Sequence, residues 1–192
     1  MWINSRMSVT KNGYWNGVEA VNQHCFDASL CVGLEEFFRK EDAKSVVDLG
    51  CGMGSYVKTL RGKGIAIDGF DGNPATPQLS GGACGILDLS VLHKFENPYD
   101  WVMSLEVGEH LPKEFEDVFV DNLHANNVKG IVLSWAVKGQ GGCGHVNEQN
   151  NDYIKEKVCS LGYLNDVCAE NKLRRASSLW WFKNTIMVFR RS

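Results

Sequence analysis

The sequence predicts an α/β fold, a doubly wound, mostly parallel sheet with helices on both faces. Three observations predict it. From residue 45 onward, short apolar runs of strand length alternate with helix-like stretches. A glycine-rich turn directly follows the first of those runs. No linker, repeat or low-complexity tract divides the chain, so its 192 residues read as one domain with room for a proper core.

The elements follow in order. Residues 14–40 carry Val18, Val21, Phe26, Leu30, Leu34 and Phe37 at spacings that suggest an amphipathic helix able to cover one edge of a site. Ser45–Leu49 is the first strand, and Tyr56–Arg61 starts a helix. Gly64–Asp71, Gly85–Leu89 and Tyr99–Leu105 are the next three strands. After Pro112 the residues Phe115, Val118, Phe119 and Leu123 recur at helical spacing as far as His124. Lys129–Trp135 is a fifth strand, Asp152–Leu161 a helix, and Asn184–Arg190 a last strand. Sheets of this kind bind ligands beyond the carboxyl ends of their strands, where the strand order reverses.

Composition narrows the function. A net charge of −3 without a lysine or arginine cluster disfavours a nucleic-acid binder. No apolar run approaches the roughly 18 residues that span a membrane, and Met1–Met7 lacks the pattern of a secretory signal. Seven cysteines, at 25, 31, 51, 84, 143, 159 and 168, include no C-x-x-C pair. Their spacing fits neither zinc nor a disulfide framework, so free, mostly buried thiols in the reducing cytoplasm are expected.

The strongest local signal is Val46-Val-Asp-Leu-Gly-Cys-Gly-Met-Gly54. Glycines at 50, 52 and 54 let the backbone turn tightly and approach a ligand. The spacing is not the G-x-G-x-x-G of dinucleotide binders, and Ser55 follows where another glycine would be needed. The acidic Asp48 before the turn suits a ligand with a cationic end better than a pyrophosphate.

Asp48–Gly54 resembles motif I of the class I S-adenosylmethionine-dependent methyltransferases. The resemblance runs from about residue 45 to the C-terminus and implies a Rossmann-like sandwich of about seven strands, the last antiparallel. It implies S-adenosylmethionine as cofactor, contacted by Asp48, Gly50, Cys51, Gly52, Gly72 and Leu105. Asp71, at the end of the second strand, would take both ribose hydroxyls, with the mid-strand Asp68 its rival. Asp88 and Leu89 would hold the adenine, against the plainer alternative of a helix cap. Ser104-Leu-Glu-Val-Gly-Glu-His110 resembles motif IV, which passes the transferring methyl. Glu106 would point toward the sulfonium or the acceptor, and Glu109 and His110 lie beside it.

The acceptor side is expected in the loop Trp135–Gln149, rich in glycine yet carrying Gln140, His145, Asn147 and Glu148. His145, His110 and Glu106 are the candidate catalytic residues. Tyr14, Trp15, Trp135, Gln140 and His145 are the candidate acceptor contacts, with residues 1–44 a lid over a domain at 45–192. Trp180-Trp-Phe182 reads as core or an edge contact. The loop after the fifth strand supplies no aspartate of the kind that metal-dependent catechol enzymes cluster there, so no metal is expected. The reading is O- or N-methylation of a small molecule, in a protein that could form a homodimer. A protein or glycan acceptor, a non-catalytic S-adenosylmethionine-binding subunit and a nicotinamide dehydrogenase are its rivals.

Overall fold

The computed structural model describes residues 8–18 and 24–192. Its first element is a small hairpin, β1 (Ser8–Val9) and β2 (Trp15–Asn16). The helix expected over 14–40 is confined to α1 (Ala28–Lys40). The reason is local. Asn12-Gly13 makes a turn in which the amide of Gly13 donates to Thr10 O, with Gly13 at φ 91°. Val18 and Phe26 are exposed, and Val21 lies outside the described residues. Helix α1 starts where the Asp27 carboxylate accepts the amides of Ser29 and Leu30. It buries Leu30, Cys31, Leu34, Phe37 and Phe38.

The main sheet has seven strands: β3 (Val46–Leu49), β4 (Ile67–Asp71), β5 (Gly85–Ile86), β6 (Tyr99–Leu105), β7 (Asn127–Ser134), β8 (Tyr163–Asn165) and β9 (Met187–Arg191). They lie in the order β5-β4-β3-β6-β7-β9-β8, and the short helix α3 (Thr76–Ser80) connects β4 to β5. The pairs from β5 to β7 are parallel, and β9 runs antiparallel to both its neighbours. The expected last antiparallel strand is therefore present, wedged inside the sheet.

The strands alternate between two cores, as a period of two requires. Val46, Trp101 and Met103 face α1, α2 (Ser55–Gly62) and α6 (Val167–Ala176), packing with Leu34, Leu60 and Leu173. Val47, Leu49 and Val102 face α4 (Glu116–Ala125) and α5 (Asn151–Cys159), packing with Phe119, Leu123 and Ile154.

Three expectations change. The third strand stops at Ile86 rather than Leu89, because the backbone then turns around the Asp88 side chain, which accepts the Ser90 amide. The last strand starts at Met187, because Phe182–Thr185 form the short helix α7. All seven cysteines are free, but only Cys31 and Cys84 are buried, so the thiols are not mostly interior. Among the described residues, no helix is long and apolar enough to cross a membrane.

Candidate active site

The chain leaves β3 toward β4 and β5 on one side, then returns to β6 on the other. A crevice opens at the carboxyl ends of β3 and β6 for that reason. The glycine turn lines it. The amides of Gly50 and Cys51 both donate to Phe70 O, at 2.7 and 3.0 Å, which ties the turn to β4. Gly52 has φ 56° and donates from its amide to Asp71 Oδ2 at 2.9 Å. A Cβ at Gly52 would strike the His24 ring, so glycine is needed for both shape and space.

Two adjoining, solvent-open cavities occupy the crevice. The first, about 650 Å³, is lined by Asp71, Gly72, Asp88, Leu89 and Leu105, with Asn12, Tyr14 and Trp15 of the hairpin over it. The second, about 1110 Å³, is lined by Asp48, Cys51, Gly52, Gln140 and His145, with Trp180–Phe182 at its edge. Gly50, Leu105, Glu106 and His110 border both.

The donor and acceptor count suits an adenosyl group in the first cavity. Each Asp71 oxygen accepts one amide, from Gly52 and from Asn73, and keeps a lone pair for a hydroxyl. Asp68 instead takes Tyr99 and Arg61 outside the cavity. Asp88 gives Oδ1 to the Ser90 amide and hydroxyl and accepts Asn12 Nδ2 on Oδ2 at 2.8 Å. One Oδ2 lone pair stays open for an amino group. Asn12 went unnoticed in the sequence, since 76 residues separate it from Asp88. Asn73 went unnoticed too; it exchanges hydrogen bonds with both backbone groups of Gly17 and so pins the hairpin down. Tyr14 rests against Gly72, where a Cβ would enter its ring.

In the second cavity Asp48 is buried, and burial holds its carboxyl well above the usual range, with Cys84 and Asp71 adding to the effect. A cationic group placed beside it would supply the missing countercharge. Glu106 follows β6 at φ 54°, a left-handed conformation uncommon outside glycine. Its amide donates to Ser134 Oγ at 2.8 Å, and its carboxylate accepts Gln140 Nε2 at 2.7 Å and Thr185 Oγ1 at 3.0 Å. Burial raises its pKa, and these donors offset part of the rise. Thr185, on α7, is a partner that no motif announced.

His110 sits on a 3-10 turn over Gly108–His110, edge-on to Trp15 with ring centres 5.1 Å apart. Burial lowers its pKa to about 4, so the ring is neutral. His145 approaches it from the glycine-rich loop, ring centres 4.9 Å apart. His145 Nδ1 lies 2.9 Å from Glu148 Oε1, and the Glu148 carboxylate also accepts the amides of Gly139 and Gly141 at 2.7 Å. Glu148 thereby organises the loop. Glu109, His110 and His145 each bring one atom able to ligate a metal within 4.8 Å of the others.

Trp135 is a correction. It is fully buried, packed on Phe119, with Nε1 donating to Asn147 O at 2.7 Å. Gly108 lies so close that a Cβ there would overlap its ring. Trp135 supports the turn behind the site and does not touch either cavity. Trp180 departs the other way: it is 56% exposed at the edge of the second cavity rather than in the core.

A profile of methyltransferase domains matches residues 23–126, more than half of the chain. The chain belongs to the methyltransferase-domain family. Its fold is that of the class I S-adenosylmethionine-dependent methyltransferases. Magnesium protoporphyrin IX methyltransferase from Synechocystis PCC 6803, solved with S-adenosylhomocysteine bound, is 18% identical to this methyltransferase at a TM-score of 0.62. The match covers 84% of this chain and 81% of that one. The methyltransferase domain of a bacterial Hen1 is 18% identical at 0.60, covering 85% and 98%. A TehB-like methyltransferase from Corynebacterium glutamicum is 16% identical at 0.59, covering 91% and 92%. No curated protein matches the methyltransferase significantly.

Proposed function

We propose that this methyltransferase carries the methyl group of S-adenosylmethionine to an oxygen or nitrogen of a small-molecule acceptor. The observation that carries the reading is the division of labour between the adjoining cavities. The first offers Asp71 and Asp88 as acceptors for a ribose diol and an amino group. The second gathers Asp48, Glu106, His110 and His145 where a methionine end and an acceptor would meet.

When bound, the sulfonium supplies an electrophilic methyl, and in-line displacement leaves the electron pair of the broken C–S bond on sulfur. The chain's own residues align the partners, which supplies much of the rate. Asp48 faces the cationic methionine end. Glu106, fixed by Gln140 and Thr185, orients the acceptor. A hydroxyl or ammonium acceptor must also lose a proton, and His110 and His145 border the cavity where it would be released. The hairpin, with Tyr14 and Trp15, serves as a cover over the adenosyl end. The acceptor enters beside Gln140 and the glycine-rich loop.

Calorimetric titration with S-adenosylmethionine, S-adenosylhomocysteine and NADH tests the reading, with Asp71→Ala alongside. Both sulfur compounds should bind and NADH should not. The variant should lose about 1.5–3 kcal/mol of binding, the range for hydrogen bonds to a charged group. A folded protein that binds neither sulfur compound would sink the proposal. Methyl transfer from labelled cofactor into a small-molecule fraction then separates this acceptor class from proteins and glycans.

A further inference from the structure

We propose that Glu109, His110 and His145 form a binding site for one divalent cation at the acceptor end of the second cavity. This departs from the expectation of a metal-free site, which rested on the aspartates missing from the loop after the fifth strand. The three residues place their ligand atoms within 4.8 Å of one another. Ligands on a common ion at about 2.1 Å stand roughly 3–3.5 Å apart, so small side-chain movements would close the set.

Glu109 is the second, independent observation. It is fully buried, and neither carboxylate oxygen makes a hydrogen bond of good geometry, although the amides of Glu109 itself and Ala136 favour its charged form. Leaving such a group unmatched is costly, and a cation is the partner that would satisfy it. An ion pair with His145 does not serve instead. Its Nε2 stands 4.0 Å from Glu109 Oε1, beyond hydrogen-bond reach.

The histidines are oriented as metal ligands are. His145 Nδ1 faces the Glu148 carboxylate at 2.9 Å, and His110 Nδ1 faces the carbonyl of Gly144 at 3.3 Å. Both partners are acceptors, so Nδ1 donates in each ring and Nε2 is the nitrogen left to meet an ion. A carboxylate or carbonyl on the far nitrogen fixes tautomer and ring direction in metal-bound imidazoles. Glu148 holds two loop amides as well, so the His145 ring rests on an ordered support.

Two imidazoles and one carboxylate without thiolate favour Mn²⁺, Co²⁺ or Zn²⁺ over Ca²⁺ or Cu⁺. Three protein ligands leave positions for water or an acceptor oxygen. Resting on the methyltransferase reading above, an acceptor hydroxyl held there would release its proton to solvent. Its oxygen would then form the O–C bond as the C–S bond breaks, the pair remaining on sulfur.

The test is direct. Protein without a polyhistidine tag is stripped with EDTA and titrated with Mn²⁺, free ion being followed by electron paramagnetic resonance. One equivalent should bind. His145→Ala and Glu109→Gln should each weaken binding at least tenfold, and Glu109→Gln, at a residue that lines neither cavity, should keep S-adenosylmethionine affinity within threefold. Spin-echo modulation of the wild-type complex should show nitrogen coupling, which serves if a variant does not fold. Three results would each overturn the proposal: no saturable binding by folded wild type, unchanged binding in both variants, or a bound ion without nitrogen coupling. Mn²⁺ binding in a protein that ignores S-adenosylmethionine would refute the methyltransferase reading alone.

Discussion

Gln140 donates from Nε2 to Glu106 Oε2 at 2.7 Å, joining the glycine-rich loop to the residue that directly follows β6. On the proposed reading, the bond links the acceptor-side loop to the residue that orients the acceptor. Replacing Gln140 with leucine removes the donor and leaves a half-buried carboxylate short of a partner. The expected result is a fall in kcat/KM of roughly tenfold to a hundredfold, from the 1.5–3 kcal/mol of a hydrogen bond to a charged group. S-adenosylmethionine affinity should change little, and a calorimetric titration beside steady-state kinetics checks both.

Asn12 joins the hairpin to Asp88. Asn12→Asp would set two carboxylates against each other in the cavity proposed for the adenosyl group. The variant should bind S-adenosylmethionine about tenfold more weakly at low salt, with part of the loss recovered at high salt through screening. A titration at two ionic strengths reads this. Equal affinity for the wild type and variant would remove the hairpin from the cofactor site.

Asp27 holds two distant parts of the chain together. Its carboxylate caps α1 and also accepts the amides of Ser178 and Leu179 and the Ser178 hydroxyl. Asp27→Ala removes a cap worth about 1 kcal/mol and strands donors that cost about 1–3 kcal/mol when unmet. Chemical denaturation should show a loss of about 2–4 kcal/mol. A loss under 1 kcal/mol would mean that water replaces the carboxylate.

Acid sensitivity should centre on Glu116. Burial alone would raise its pKa, but Lys113, Tyr153, Asn147 and Lys157 outweigh burial and hold it at about 2. A folded pKa below the unfolded one stabilises above the unfolded value and is lost as pH falls through the folded value. Glu116 therefore stabilises the fold at neutral pH by about 1–2 kcal/mol once solvent screening of its partly exposed lysine partners is allowed for, draining away between about pH 5 and 2. Glu116→Gln should be less stable at pH 7 and flatten the stability profile over that interval. Unfolding free energies from pH 7 to 3 provide the check.

The sequence made the central strands legible because each carries its own evidence. Tyr99–Leu105 is β6 to the residue, and the glycine turn sits where its motif placed it. What stayed hidden depends on distant partners. Helix α6 and strand β8 are hard to read because half of Val167–Ala176 is polar, and only three residues pair at 163–165. The hairpin is hard to read because only two residues pair on each side of its turn, while the helical spacing of Val18 to Phe37 just beyond it suggests a longer helix. Trp135 looked like an acceptor contact because it opens the loop. Its neighbour across the fold, Gly108, assigns it to the interior. The second cavity was foreshadowed by Glu106 and His145, whereas Thr185 and the isolation of Glu109 follow only from packing.

Strand β9 lies between β7 and β8, and this order has a kinetic consequence. During synthesis, residues 127–165 emerge before the segment that separates their two strands. The outer edge of β7 stays unpaired meanwhile, and β8 has no sheet to join. Such an edge invites pairing with another chain. Closing the sheet requires a long-range contact made late, which slows folding. The last strand thus acts as a keystone, and a nascent chain halted before Met187 would be a substrate for chaperones rather than a smaller working enzyme.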